Sequence, residues 1–326
     1  MPLLKMSDGS RTYYETHGPE DGAPVMLLHG WCASLRLYCE QTRSLAEAGY
    51  RAILLDSVGH GRSSKKVDTV DKDIVVERFS EFAEKMGLFG GDPFALIGHS
   101  AGGGAAQQIY LKHPDNIACL VLLNTGYLMR DSLLRNVFWS MSPLMAEAAF
   151  HPLAKLAIRP AMNAAADVAG LLFNKDAHKI RLWFTDVMRT RPDVARMEIE
   201  EIMRHNTKEQ LPGITCPTLI IGGSMDLLAP ARQSRVMHAM IPNSELVVVP
   251  TGHAGKMFQS ELYNKPIIEF LTKNYPSAVP KKATRAPVKK HNAAKAAKKA
   301  PAKKTLKKSV AIKKAVKKKT VKKKKS

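Results

Sequence analysis

Short apolar runs alternate with segments of helical periodicity along residues 24–123 and 214–272. The runs at 25–28 and 217–221 are almost continuously apolar, which is typical of strands buried on both faces of a parallel sheet. Residues 127–211 contain no such run, and their apolar residues recur at helical spacing. The pattern predicts an α/β fold, with one mostly parallel sheet, helices on both faces and one helical insertion.

A glycine-rich turn follows another apolar run at residues 93–97, and positions 98–102 read GHSAG. This is the G-x-S-x-G spacing of a nucleophile elbow, in which a serine stands on a sharp strand-to-helix turn. The glycines two residues before and after Ser100 remove β-carbons that would collide there. The spacing also arises by chance, so a purely structural turn stays an alternative until partners for Ser100 are found.

A serine hydroxyl needs a histidine to accept its proton and a carboxylate to orient that histidine. Asp226 follows the apolar run 217–221, and His253 follows the next run, 245–250. Serine, acid and histidine therefore occur in that order, each after a strand, as in one class of serine hydrolase. Taken singly, Asp226 is better explained as a helix cap or turn residue, and His253 as a loop residue. Their combination with Ser100 favours catalysis.

Attack by Ser100 on a carbonyl group creates an oxyanion, which requires backbone N–H donors. One candidate donor is the N–H of Ala101, directly after the serine. The second is the N–H of Trp31, which follows the apolar run 25–28 and a His-Gly turn. The sequence therefore predicts an oxyanion hole formed by these two N–H groups.

With these motifs, residues 1 to about 275 resemble the α/β-hydrolase superfamily, and the resemblance includes the turn at 56–63, which reads DSVGHGRS. It implies an α/β-hydrolase core formed by residues 1–126 and 212–275. It also implies that residues 127–211 form a helical lid inserted into that core.

The same resemblance implies that Ser100, Asp226 and His253 form the catalytic triad. Some members carry the acid after the strand that precedes the lid, but here that strand ends in Asn124, so Asp226 keeps the role. A serine at position 100 excludes the dehalogenases and epoxide hydrolases of the fold, which use aspartate, and the dienelactone-type enzymes, which use cysteine.

We therefore expect a serine hydrolase that acts on a carboxylic ester or a related acyl bond through an acyl-enzyme on Ser100. A cofactor-free peroxidase or acyltransferase of the same fold is an alternative, because it keeps the same residues. A non-catalytic binding protein, tethered to nucleic acid by its tail, is another. The leucine, methionine and aromatic residues of the insertion predict a pocket for a small apolar acyl substrate.

The positive charge is confined to one end of the chain. The formal net charge is +21, and residues 281–326 contain 21 lysines and arginines and no acidic residue. The segment 276–326 is rich in Lys, Ala and Pro and resembles the tails of histone H1, which implies a disordered tail. We expect residues 281–326 to bind nucleic acid or another polyanion without reading sequence, with a solvated tail as the alternative.

Cysteines 32, 39, 119 and 216 lack the spacing of metal ligands or redox pairs, and we interpret them as reduced thiols. No motif indicates a cofactor or a metal ion, and His60 is interpreted as a structural residue of a tight turn. The chain has neither a signal-type apolar segment at its start nor a transmembrane-length apolar run. These features predict a cytoplasmic protein, which the basic tail could direct to a nucleoid or a nucleus.

Overall fold

The computed structural model describes residues 2–64, 72–128 and 177–277, with single positions at 151, 154, 160 and 164. Within this part of the chain, eight strands form one sheet. They are β1 Leu3–Lys5, β2 Arg11–His17, β3 Pro24–Leu28, β4 Arg51–Leu55, β5 Phe94–His99, β6 Ile117–Leu123, β7 Thr218–Gly223 and β8 Ser244–Val249. Their order in the sheet is β1-β2-β4-β3-β5-β6-β7-β8. Strand β2 pairs antiparallel with β1 and with β4, and the other five pairs are parallel.

The helices of the described residues lie between these strands or follow the last one. They are α1 Cys39–Glu47, α2 Lys72–Lys85, α3 Ala101–Lys112, α4 Ala177–Arg189, α5 Pro192–Arg204, α6 Ala231–Met240, α7 Gly255–Phe258 and α8 Glu261–Asn274. Helices α4 and α5 fall within the predicted insertion. No described helix combines the length and the apolarity that a membrane crossing requires.

The sheet is buried on both faces, which explains why its central strands read as continuous apolar runs. In β5, Phe94 and Leu96 pack into a core layer that also contains residues of α2, α3 and α6. Ala95 and Ile97 point to the opposite layer, which contains residues of α1 and α8. Successive side chains of a strand thus supply two separate cores.

The predicted fold class is confirmed. The predicted strands at 93–97, 217–221 and 245–250 agree with β5, β7 and β8 to within two residues. The antiparallel strands β1 and β2 were not predicted. Most of the first part of the insertion, and the tail from residue 278 onwards, lie outside the described residues.

A lysine is buried on the short helix that follows β8. Lys256, on the short helix α7, is 1% exposed. Its Nζ donates to the Leu37 carbonyl at 2.7 Å and lies 3.8 Å from the ring centroid of Tyr38. None of the ion pairs among the described residues gives it a carboxylate partner. Burial lowers the pKa of Lys256 to about 7.

This lysine should make the stability of the protein depend on pH. Between its folded pKa of about 7 and its ordinary value of 10.5, the unfolded chain binds more protons, so the free energy of unfolding should rise with pH. The slope from this group is at most about 1.4 kcal/mol per pH unit. The variant Lys256→Met fills the same space without titrating. Urea unfolding near neutrality and two units higher should show a rise in the wild type that the variant lacks; equal changes in both proteins would contradict this account.

Candidate active site

Ser100 occupies a strained turn between β5 and α3. Its backbone has φ 55° and ψ −123°, in the left-handed region that residues with a β-carbon rarely adopt. A β-carbon at Gly98 would collide with the backbone of Gly102, and one at Gly102 would collide with the carbonyl groups of Leu28 and His29. The two glycines therefore allow the turn to pass this close to α3 and to the end of β3.

Backbone bonds hold the turn in this conformation. The N–H of Ser100 donates to the Leu123 carbonyl at 3.0 Å, and the Ser100 carbonyl accepts from the Thr125 hydroxyl at 2.7 Å. Both partners lie at the end of β6, the neighbouring strand. The adjacent strand thus fixes the orientation of the serine.

The structure brings Ser100, His253 and Asp226 together at the carboxyl edge of the sheet. Ser100 Oγ lies 2.8 Å from His253 Nε2, and His253 Nδ1 lies 2.8 Å from Asp226 Oδ2. A carboxylate accepts only, so Nδ1 carries the proton and Nε2 is left to accept the serine proton. This is the arrangement in which an imidazole can act as a general base toward a hydroxyl.

Asp226 is buried and fully engaged. Its Oδ1 accepts from the backbone N–H groups of Leu228 and Ala229, both at 2.9 Å, and its Oδ2 also accepts from Asn124 Nδ2 at 3.0 Å. Burial raises the pKa of this carboxyl, but the bonds from His253, Ala229 and Asn124 outweigh it and lower the pKa below its usual value. Asp226 therefore stays ionised at neutral pH.

Asn124 belongs to the same hydrogen-bond network as Asp226. In the sequence, this residue served only to exclude a carboxylate directly after the strand that is now β6. It has a left-handed φ of 44°, is fully buried, and anchors its backbone N–H to the Ile221 carbonyl at 2.8 Å. This conformation points its amide at the carboxylate of Asp226. Its place directly after a predicted strand was the available signal.

His99 is a second residue whose importance the sequence did not reveal. Its Nε2 lies 3.0 Å from the backbone carbonyl of His253, so this nitrogen must be the donor. Burial, with the nearby Lys256 and His253, holds the pKa of His99 well below its usual range. The neutral ring therefore links the nucleophile turn to the loop that carries the base.

The turn after β3 passes over Ser100. A β-carbon at Gly30 would lie 2.9 Å from Ser100 Cβ, and the indole Nε1 of Trp31 donates to the Ala195 carbonyl of α5 at 3.0 Å. Ala101 opens α3 on the other side of the serine. The two predicted oxyanion residues, Trp31 and Ala101, thus directly follow Gly30 and Ser100, which lie side by side.

A cavity of about 170 Å³ opens beside Ser100. Apolar side chains form much of its wall, among them Leu28, Leu55, Val58, Ile74, Phe79 and Ile202. A smaller group of polar side chains also lines it: Thr12, Arg78, Gln108, Glu198, Glu201 and His205. The cavity thus combines a mostly apolar wall with a few polar groups, as small-molecule sites commonly do.

Helix α4 is attached to the segment that follows β3. Ser34 donates its hydroxyl to Asp186 Oδ2 at 2.5 Å, and Arg36 Nη1 lies 3.5 Å from Asp186 Oδ1. Burial raises the pKa of Asp186 despite these partners. Helix α4 thus contacts the rest of the fold through a buried polar bond as well as through apolar packing.

Known proteins resemble this chain over most of its length. A family model of the alpha/beta hydrolase fold matches residues 23–259. A candidate carbamate hydrolase, RutD, of Caulobacter sp. (strain K31) is 29% identical over 266 residues, which cover 80% of this chain and 95% of that protein. The non-heme chloroperoxidase CPO-A1 of Kitasatospora aureofaciens is 26% identical over 303 residues, covering 84% of this chain and 100% of that protein. A thermophilic esterase structure from Thermogutta terrifontis gives a TM-score of 0.70 at 23% identity, covering 84% of this chain and 99% of that one.

If His99 positions the base, its donor should matter more than its shape. His99→Gln keeps an N–H donor, whereas His99→Leu removes it. We expect His99→Leu to lower kcat by about 10- to 100-fold, because small displacements of a reacting group cost that much, with KM nearly unchanged. His99→Gln should retain most of the rate. Steady-state kinetics across pH, with circular dichroism as a check on folding, measures this; equal losses in both variants would point to a packing role.

Proposed function

The chain belongs to the α/β-hydrolase family, and we propose that it is a serine hydrolase that cleaves a carboxylic ester or a related acyl bond. The observation that carries this proposal is the continuous hydrogen-bonded path from Ser100 through His253 to Asp226. Nothing in the packing of the sheet requires these three polar groups to be aligned. Their alignment beside a cavity is what acyl transfer requires.

The reaction proceeds in two halves. His253 Nε2 takes the proton of Ser100 as Oγ attacks the carbonyl carbon, and the backbone N–H groups of Ala101 and Trp31 stabilise the oxyanion. Asp226, held ionised, stabilises the imidazolium that results. The imidazolium then gives its proton to the leaving group, and the acyl-enzyme forms on Ser100. In the second half, His253 activates a water molecule that releases the acid.

The lining of the cavity supports a small acyl group with an apolar body. Its polar residues, which include Glu201 and Gln108, lie among otherwise apolar walls and would orient a polar substituent. The name of the RutD relative refers to a carbamate, in which the carbonyl is bonded to nitrogen as well as oxygen. We therefore include carbamates among the acyl bonds to be tested.

The name of the chloroperoxidase relative supports a second reaction at the same serine. Hydrogen peroxide in place of water would release the acyl group of Ser100 as a peracid and regenerate the hydroxyl. Adding peroxide to an ester assay and measuring the peracid separates the two. Acid as the sole product would exclude this second reaction.

Substitution of the nucleophile tests the main proposal. Ser100→Ala should lower kcat for p-nitrophenyl esters and carbamates by about 10³-fold or more, leaving the residual rate of the oxyanion hole and binding. It should also abolish labelling by a fluorophosphonate probe. Ser224→Ala, at an exposed position on the same edge of the sheet, is the matched control and should behave as the wild type. Turnover retained by Ser100→Ala would contradict the assignment.

We also propose that residues 281–326 bind polyanions, because this segment contains 21 basic residues and no acidic residue. Each phosphate that a lysine neutralises releases counterions, so the logarithm of DNA affinity should fall with the logarithm of salt by about 0.9 per contact. Truncation after Pro280 should remove this binding and leave kcat/KM for a neutral ester unchanged. Gel shifts at two salt concentrations beside the ester assay measure both; DNA binding by the truncated protein, or salt-independent binding, would contradict the proposal.

A further inference from the structure

Three side chains that are distant in sequence meet beside the cavity. Sγ of Cys32, the ring nitrogen of His60 and a carboxylate oxygen of Glu198 all lie within 4.8 Å of one another. Cys32 and His60 are 2% and 0% exposed, and Glu198 is half-buried. We propose that these three residues bind a zinc ion that joins helix α5 of the insertion to two turns of the core.

The backbone holds the three ligands in place from separate elements. Cys32 lies on the turn after β3 with a left-handed φ of 51°, and His60 lies on the turn after β4. Helix α5 packs against both turns. Cys32 belongs to the same buried apolar cluster as Ala195 and Ile199 of α5. A β-carbon at Gly59, next to His60, would collide with the side chain of Val194. Glu198, one turn further along α5, is therefore directed to the space between the two turns.

The oxygen atoms around His60 suit the binding of a cation. Its Nε2 lies 3.0 Å from Glu198 Oε2, and its Nδ1 lies 3.3 Å from the Val58 carbonyl. Oxygen acceptors thus face both nitrogens of a fully buried ring, although a neutral imidazole has one N–H. A zinc ion at Nε2, shared with the Glu198 carboxylate, suits this arrangement. An Nδ1–H directed at a backbone carbonyl is the usual way in which a protein orients a histidine for a metal at Nε2.

The ligand set selects the metal. A thiolate, an imidazole and a carboxylate suit zinc, whereas calcium and magnesium prefer oxygen ligands alone. Zinc binds these donors at about 2.0–2.3 Å, so a sulfur at the 4.8 Å limit would need to approach the other two ligand atoms by roughly an ångström. Binding displaces the thiol proton of Cys32 and requires Nε2 of His60 to be unprotonated. Three protein ligands leave a fourth tetrahedral position for water.

Spacing along the chain does not reveal this cluster, because its members are 28 and 138 residues apart. The proposal does not depend on the reaction at Ser100. A zinc ion here would fix α5, which lines the cavity through Glu201 and Ile202, to the turn that carries Trp31. Its direct effect is therefore on the stability of the contact between α5 and that turn.

Metal titration of the full-length protein tests the proposal without an activity assay. Chelator-treated protein should bind one equivalent of Zn²⁺ by calorimetry, and Co²⁺ should produce a thiolate-to-cobalt charge-transfer band. Cys32→Ser should abolish that band, and Cys32→Ser and Glu198→Gln should each weaken Zn²⁺ affinity by at least about 100-fold, the upper end of what changes outside the ligand shell cost. The wild type should melt at a higher temperature with Zn²⁺ than without.

Matched controls are a second cysteine and a second glutamate. Cys39→Ser removes an exposed thiol, and Glu200→Gln changes a neighbouring glutamate of α5 that pairs with Arg196. Both should keep the charge-transfer band and the affinity. Failure of the wild type to bind one equivalent of either metal would overturn the proposal and leave His60 beside Glu198 without a metal ion. Binding that survives Cys32→Ser with its thiolate band intact would also overturn it, because the metal would then be held elsewhere.

Discussion

The strained turn at Ser100 is the constraint on which the rest of the site depends. A serine with a positive φ between a parallel strand and a helix is stable only where neighbouring residues hold its backbone. Here Leu123 and Thr125, at the end of β6, do so. The parallel register of β5, β6, β7 and β8 then brings the residues that follow each strand to one edge. The site is thus a consequence of strand order, with each strand supplying one member.

Burial gives the site its second property, which is a fixed protonation pattern. Asp226 is saturated with donors and stays ionised, whereas His99 is kept neutral by burial and by the nearby Lys256. Each protonation state follows from whether a buried group has partners that favour its charged form. With its neighbours fixed in this way, His253, still partly exposed, is the group that exchanges protons during the reaction we propose.

Much of the architecture could be predicted because buried parallel strands leave a continuous apolar signal. The strands around Ser100, Asp226 and His253 agreed with the structure to within two residues. Strands β1 and β2 could not be found in this way, because β2 is buried only at Thr12 and Tyr13 and contains no continuous apolar run, and β1 has three residues. Antiparallel edge strands face water on one side and carry a weaker pattern.

The residues that escaped sequence reasoning share a physical cause. His99, Asn124 and Glu198 contact partners more than a hundred residues away. Local spacing marks at most the position of Asn124 after a strand, and it does not reveal any of these partners. A polar residue inside a core is informative only when its partner is known, since burial without one would be costly. The motif residues were found because the elbow imposes a local geometry on the sequence around it.

Helix α5 takes part in the site directly. Its Ala195 carbonyl accepts from Trp31, its Val194 packs on the turn that carries His60, and its Ile202 lines the cavity. A displacement of this helix would therefore change the cavity wall and the turn beside Ser100 together. Because these contacts share one rigid helix, the shape that selects the substrate and the position of the turn that carries Trp31 cannot vary independently.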